Sequence, residues 1–177
     1  QEYYANLSYE VSGILFSLNE IESILRGGAA AKVIPNATRL SADNPRAKFC
    51  LKQADRRLSF VLNYGTRAFP ATIPVLHVNT VHDQLDEACR TWVAHCLSVE
   101  FGPQRGGQAG VVRIAENVRW LMDDFELQPR DTLAFLIKFM KDEWATPLGD
   151  LLAANKEVEF VLSPFDWNFQ STFKRSA

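Results

Sequence analysis

The sequence predicts an α+β fold, and three observations predict it. Helical apolar stripes open the chain and return after Thr80, two alternating runs lie between them, and a polar turn joins those runs. The expected layout is an N-terminal helix, an antiparallel sheet of three to four strands, and two following helices on one face of it. A helical C-terminal extension completes it. At 177 residues and 47% hydrophobic content, the chain is long enough to bury a core of its own.

The opening stretch "LSYEVSGILFSLNEIESILRGG" places Leu7, Val11, Ile14, Leu15, Leu18, Ile21 and Leu25 at helical spacing. Gly27 and Gly28 end it, because glycine takes the left-handed cap conformation cheaply. "AKVIPNATRL" reads as an edge strand weakened by Pro35 and Asn36, and "ADNP" is a turn cluster. In "RAKFCLK", Ala47, Phe49 and Leu51 alternate with Lys48, Cys50 and Lys52. In "LSFVLNY", Leu58, Phe60 and Leu62 share a face. With the polar "QADRR" between them, the two runs read as an antiparallel hairpin with one wet face.

"FPATIPVLHV" carries Pro70 and Pro74 inside strand-like sequence. Each proline withholds an N–H and fixes φ, and the residue before it is pushed to extended conformations. The two are expected to stiffen a double turn that interrupts the sheet, with Phe69 packed beneath. From Thr80, a plausible N-cap by its residue type, a helix through Phe101 puts Leu85, Ala88, Cys89, Trp92, Val93, Cys96 and Leu97 on one stripe. "GPQRGGQAG" is a loop. "VVRIAENVRWLMDDF" reads as a helix with Val111, Ile114, Ala115, Val118 and Leu121 or Met122 inward.

Beyond it, Pro129 and Asp131 start the helix "RDTLAFLIKFMKDEW", followed by a shorter helix "PLGDLLAANK" and a strand "VEFVL". The expected division is residues 1–125 as the domain and 126–177 as an extension packed on it. At the end, "FDWNFQSTF" spaces Phe165, Trp167 and Phe169 at every second residue. This row, with Phe173, either folds back on the domain or is offered to a partner.

Charge is segregated. Residues 32–67 hold eight basic residues, Lys32, Arg39, Arg46, Lys48, Lys52, Arg56, Arg57 and Arg67, against two acids, Asp43 and Asp55. The rest of the chain carries a balance of −8. The basic face is a candidate for an acidic partner, with a solvated surface as the plainer reading. The three cysteines Cys50, Cys89 and Cys96 fit reduced thiols in an intracellular protein, cytoplasmic or nuclear. Their spacing with His77, His82 and His95 fits no usual zinc pattern. No apolar run is long enough to span a bilayer, no basic-then-apolar leader is visible, and the opening on Gln1 suggests a piece of a larger protein.

No glycine-rich phosphate loop and no Ser-His-Asp set appears at telling spacing. "MDDFE" at 122–126 reads as the solvated end of a helix rather than a metal site. Neither a cofactor nor a metal is expected.

Three stretches together resemble an RWD domain, a relative of the ubiquitin-conjugating-enzyme fold. "SLNEIESIL" resembles that family's acidic opening helix, and "FPATIP" its Tyr-Pro-x-x-x-Pro signature, with Phe69 standing where tyrosine is usual. "VVRIAENVRWLMDDF" resembles its closing helix. The likeness covers residues 7–125. It implies a non-catalytic module that docks another protein within a larger regulatory protein, of the ubiquitin-ligase, kinase, DNA-repair or kinetochore kind. The candidate contacts are Lys48, Lys52, Arg56, Arg57, Trp167 and Phe169, with Phe69, Pro70 and Pro74 as the structural motif. Two alternatives stand beside it. One is nucleic-acid binding through the basic 32–67 hairpin face. The other is conjugating-enzyme-like activity through Cys89. "HVN" at 77–79 echoes the His-Pro-Asn stretch of those enzymes, but Val78 replaces the proline, and Cys89 falls on an apolar helical stripe.

Overall fold

In the computed structural model, which describes residues 6–30, 39–102, 110–171 and 174–175, Ser12 and Gly13 both take positive φ, 52° and 76°. Positive φ at both loop positions is what a type I′ hairpin turn requires. The strands on either side, β1 (Ser8–Val11) and β2 (Ile14–Ser17), pair antiparallel with Tyr9 opposite Phe16 and Val11 opposite Ile14. The expected opening helix over 7–26 is therefore a hairpin followed by a shorter helix, α1 (Leu18–Leu25). Ser17 and Glu20 form a reciprocal capping box that fixes where α1 begins. Gly27 (φ 67°) and Gly28 (φ 92°) end it, and the Gly28 amide donates to Ser23 O at 2.7 Å.

The chain forms two compact units, residues 1–56 with 123–125, and residues 57–122 with 126–177. The first holds the hairpin, α1 and a 3-10 turn at Ala47–Phe49. Its core includes Phe16, edge-on to Phe49 at 5.5 Å. It also contains a buried ion cluster. Arg26 donates from Nε to Asp124 at 2.7 Å and pairs with Glu22 one turn earlier, all three side chains at most 10% exposed.

The expected hairpin over 46–64 does not form. Residues Ala47–Phe49 and Arg56–Phe60 are short 3-10 helices instead. The alternation there spans only a few residues, and side chains rather than ladder bonds hold it. Arg46 donates to Leu15 O at 2.7 Å and pairs with Glu20 at 3.4 Å. The expected strand 31–40 lies almost wholly outside the described residues.

The second unit is built on a three-stranded sheet, β4 (Leu97–Phe101), β5 (Gly110–Ala115) and β6 (Val158–Ser163), in that order. β4 runs antiparallel to β5, and β6 parallel to it. Central β5 buries Val111, Val112 and Ile114 but leaves Arg113 exposed, so buried residues fall on both faces and break the strict alternation of a one-faced strand. That is why "VVRIAENVRWLMDDF", expected as one helix, divides into β5 and α3 (Val118–Asp124). Helix α2 (Val81–Cys96) buries Leu85, Cys89, Trp92 and Val93 as the stripe predicts, but ends at Cys96, where the alternation of "LSVEF" makes β4. Thr80 holds the N-cap position without a side-chain cap bond.

Helices α4 (Pro129–Leu136) and α5 (Asp142–Ala153) follow, with a 3-10 turn at Ile137–Phe139 between them. The segment expected as an extension thus supplies β6 to the sheet and Leu133, Leu136, Leu148 and Leu152 to the core. Phe60 lies edge-on to Trp92 at 4.8 Å in the same interior. β3 (Thr72–Ile73) pairs parallel with β7 (Lys174–Arg175). The fold is α+β, and none of its described helices is long and apolar enough to cross a membrane.

Candidate functional site

A nucleophilic thiol needs exposure and a lowered pKa. Cys89 has no exposed surface, 0%, on the inner stripe of α2. Cys96 donates its thiol to Ala68 O at 3.4 Å, and burial pushes it up to about 12. Burial keeps Cys89 out of reach of a substrate, and the Cys96 environment favours the protonated, packed thiol over an attacking thiolate.

The four basic candidates are distributed between the two units. In the first, Lys48 lies over the Phe49 ring at 5.1 Å, Arg56 lies over the Phe125 ring at 5.6 Å, and Lys52 is exposed. In the second, Arg57 donates to Asp86 at 2.7 Å and to His82 O at 3.2 Å, which ties its turn to the start of α2. No strand displays them as a row, because residues 46–60 form turns.

The stretch with two prolines is answered by side-chain amides. Asn63 donates to Pro70 O at 2.9 Å, and its own oxygen accepts from the Gly65 amide. Gln84 of α2 accepts from the His77 amide at 2.7 Å and donates to Val75 O at 2.8 Å. The prolines withhold ladder donors, and these amides bond the backbone where a strand partner otherwise would. Only Thr72 and Ile73 are left as strand. Phe69 is 2% exposed and packs among Tyr64, Trp120 and Phe165, with ring centroids 5.6 to 6.1 Å away. We expect Gln84→Ala to cost about 1–3 kcal/mol, since it removes two hydrogen bonds at once. Denaturant unfolding and amide exchange at His77 measure it; unchanged stability with unchanged His77 protection would refute the stapling role.

Two cavities flank this stretch. One of about 150 Å³ is lined by Phe60, Val61, Pro74, Gln84 and Ala88, and one of about 730 Å³ by Val93, Phe139, Met140 and Trp144. They share Pro70, Glu87 and Thr91 in their walls. The lining is mainly apolar and suits an inserted side chain.

The aromatic tail divides between the two expectations for it. Phe165 folds back and packs on Phe69 and Trp120, at 6.0 and 5.2 Å. Trp167 lies tilted against Phe165, with ring centroids 4.3 Å apart, but remains 67% exposed, and Phe169 is 82% exposed. Phe173 lies outside the described residues. The backbone that carries them is held. The Arg67 amide donates to Asn168 O and the Gln170 amide to Gly65 O, both at 2.9 Å, and Thr66 bridges Phe169 antiparallel. Asp166 accepts from the Asn168 amide at 2.9 Å and completes a turn. Asn63, Gly65 and Asn168 are supporting residues that the sequence reading missed. The signal for the first two was the Asn-Tyr-Gly triplet at 63–65, a turn composition.

A family model described as "Protein of unknown function, DUF547" matches residues 1–93, just over half of the chain. No curated protein and no solved structure matches it.

Proposed function

This chain belongs to the DUF547 family, and we propose that it acts as a non-catalytic protein-interaction module whose contact anchors are Trp167 and Phe169. One observation carries the reading: two large aromatic side chains stand in solvent on a backbone held by hydrogen bonds to Gly65 and Arg67. Exposed aromatics on an ordered segment give large contact area with little ordering cost on binding. Aromatic anchors of this kind dominate protein interfaces rather than nucleic-acid backbones, whose recognition asks for a free row of cations. Here Arg46 and Arg57 are engaged by Glu20 and Asp86.

The same role is what the RWD resemblance implies, and that likeness belongs to the proposal as a statement about role. The element order described above takes the place of its helix-first layout. A reducing, intracellular setting goes with the proposal, since none of the three cysteines is in a disulfide.

The test is affinity capture of a protein partner by the intact chain and by a Trp167→Ala/Phe169→Ala variant. Both changes are at exposed positions, so the fold is expected to persist, and circular dichroism checks it. Loss of capture by about thirtyfold or more, the effect of removing a hot spot, is the expected result. Undiminished capture by the folded variant would overturn the reading.

A further inference from the structure

We propose that a pocket at the end of the three-stranded sheet binds a small molecule through an oxyanion, a carboxylate or a phosphate. Its wall includes Arg67 and Asp166, which also hold the segment carrying the aromatic anchors, but its ligand chemistry does not depend on their role. The pocket is about 340 Å³ and is lined by Arg67, His95, Ser98, Arg113, Ser163 and Asp166, among others. That volume suits a small metabolite rather than a peptide.

Strand register builds it. Ser98 lies directly opposite Arg113, and Ala115 lies beside Ser163. Arg113 and Ala115 are two apart on β5, so Ser98, Arg113 and Ser163 stand on one face of the sheet. That face is opposite the one carrying Leu97, Val112 and Ile114 into the core. Arg67 comes from the neighbouring loop. Its amide is fixed by Asn168 O, and its carbonyl faces His95 Nε2 at 3.2 Å. His95 thus holds the backbone of the loop that carries Arg67, and the two guanidinium groups and two hydroxyls lining the pocket are the ligand donors.

The charge balance favours an anion. Among the described residues, no side chain pairs with the Arg67 guanidinium. Arg113 meets Glu100 only at 3.6 Å, with both side chains about half exposed, a pairing that solvent screens. Asp166 is the one acid in the pocket lining, and its Oδ1 already accepts from the amide and side chain of Asn168, at 2.9 and 2.6 Å. Planar guanidinium forks match the paired oxygens of a carboxylate or phosphate, and neighbouring hydroxyls complete the shell of donors.

Calorimetric titration of the intact chain tests it, with inorganic phosphate and pyrophosphate in one arm and succinate and citrate in the other. Saturable binding in either arm is expected, and the arm that binds identifies the oxyanion. Arg67→Gln and Arg113→Gln, both surface changes, should each weaken binding by about tenfold or more. Arg113→Lys, which keeps the charge but loses the fork, should fall between. Added sodium chloride should weaken binding in the parent. An absence of binding in both arms, or binding unchanged in both glutamine variants, would overturn the proposal.

Discussion

Replacing Arg26 by methionine is expected to remove about 3–5 kcal/mol of stability, the penalty typical of breaking a buried ion pair. The Arg26, Glu22 and Asp124 side chains are 10%, 8% and 5% exposed. Taking away the guanidinium leaves two carboxylates in a low-dielectric interior without their shared cation. The loss is thus chiefly the desolvation of what remains. A triple variant separates this from lost packing. Adding Glu22→Gln and Asp124→Asn to Arg26→Met removes the stranded charges and should recover part of the deficit. Urea unfolding measures both. A single variant within about 1 kcal/mol of the parent, the range of a surface pair, would show that the cluster is solvated.

Phe69→Ala is the second large effect, also expected at about 3–5 kcal/mol, the cost of emptying a packed phenylalanine site. Phe69 touches the rings of Tyr64, Trp120 and Phe165, so the void opens in the middle of an aromatic cluster. The consequence reaches the candidate anchors. Phe165 loses a support, and the segment that presents Trp167 rests partly on Phe165. Partner affinity should therefore fall in a variant that is still folded. Phe69→Leu, which keeps most of the volume, should cost under about 1.5 kcal/mol. If Phe69→Ala costs no more than the leucine variant, the cluster is not the support described.

How much of this was legible in the sequence depends on which interactions a one-dimensional pattern records. The inner stripe of α2 was readable because burial on one side leaves a clean period, and the strand "VEFVL" because of its β-branched and aromatic composition. The opening hairpin was not read, though two local signals marked it. Ser12-Gly13 is a turn dipeptide, and Ser17 with Glu20 is a capping box that starts a helix at Leu18 rather than Leu7. The helical spacing of Val11, Ile14 and Leu15 misled because Val11 and Leu15 are more than half exposed and report no buried face. β5 was lost for the opposite reason. Consecutive buried Val111 and Val112, with exposed Arg113 next to them, break the period of two that would distinguish the strand from a short helix.

At the candidate site, the sequence showed the row Phe165, Trp167, Phe169 and the pair Pro70, Pro74. It could not show that Asn63 and Gln84 serve the prolines, or that Phe165 packs on Phe69 and Trp120 while Trp167 and Phe169 stay exposed. The amide bonds join residues seven to nine apart through irregular backbone, which no period records, and the packing of Phe165 on Phe69 and Trp120 joins residues distant in the chain. The basic surplus of residues 32–67 misled similarly. Its count is real, but Arg46 and Arg57 are engaged by acids from other elements.

Covalent side-chain footprinting of the chain, alone and bound to its captured partner, tests the central claim most directly. The account predicts that Trp167 and Phe169 label strongly in the free chain and become protected in the complex, while buried Trp92 stays unlabelled in both. Labelling of Trp167 and Phe169 that is unchanged by the partner, with protection appearing elsewhere, would contradict it.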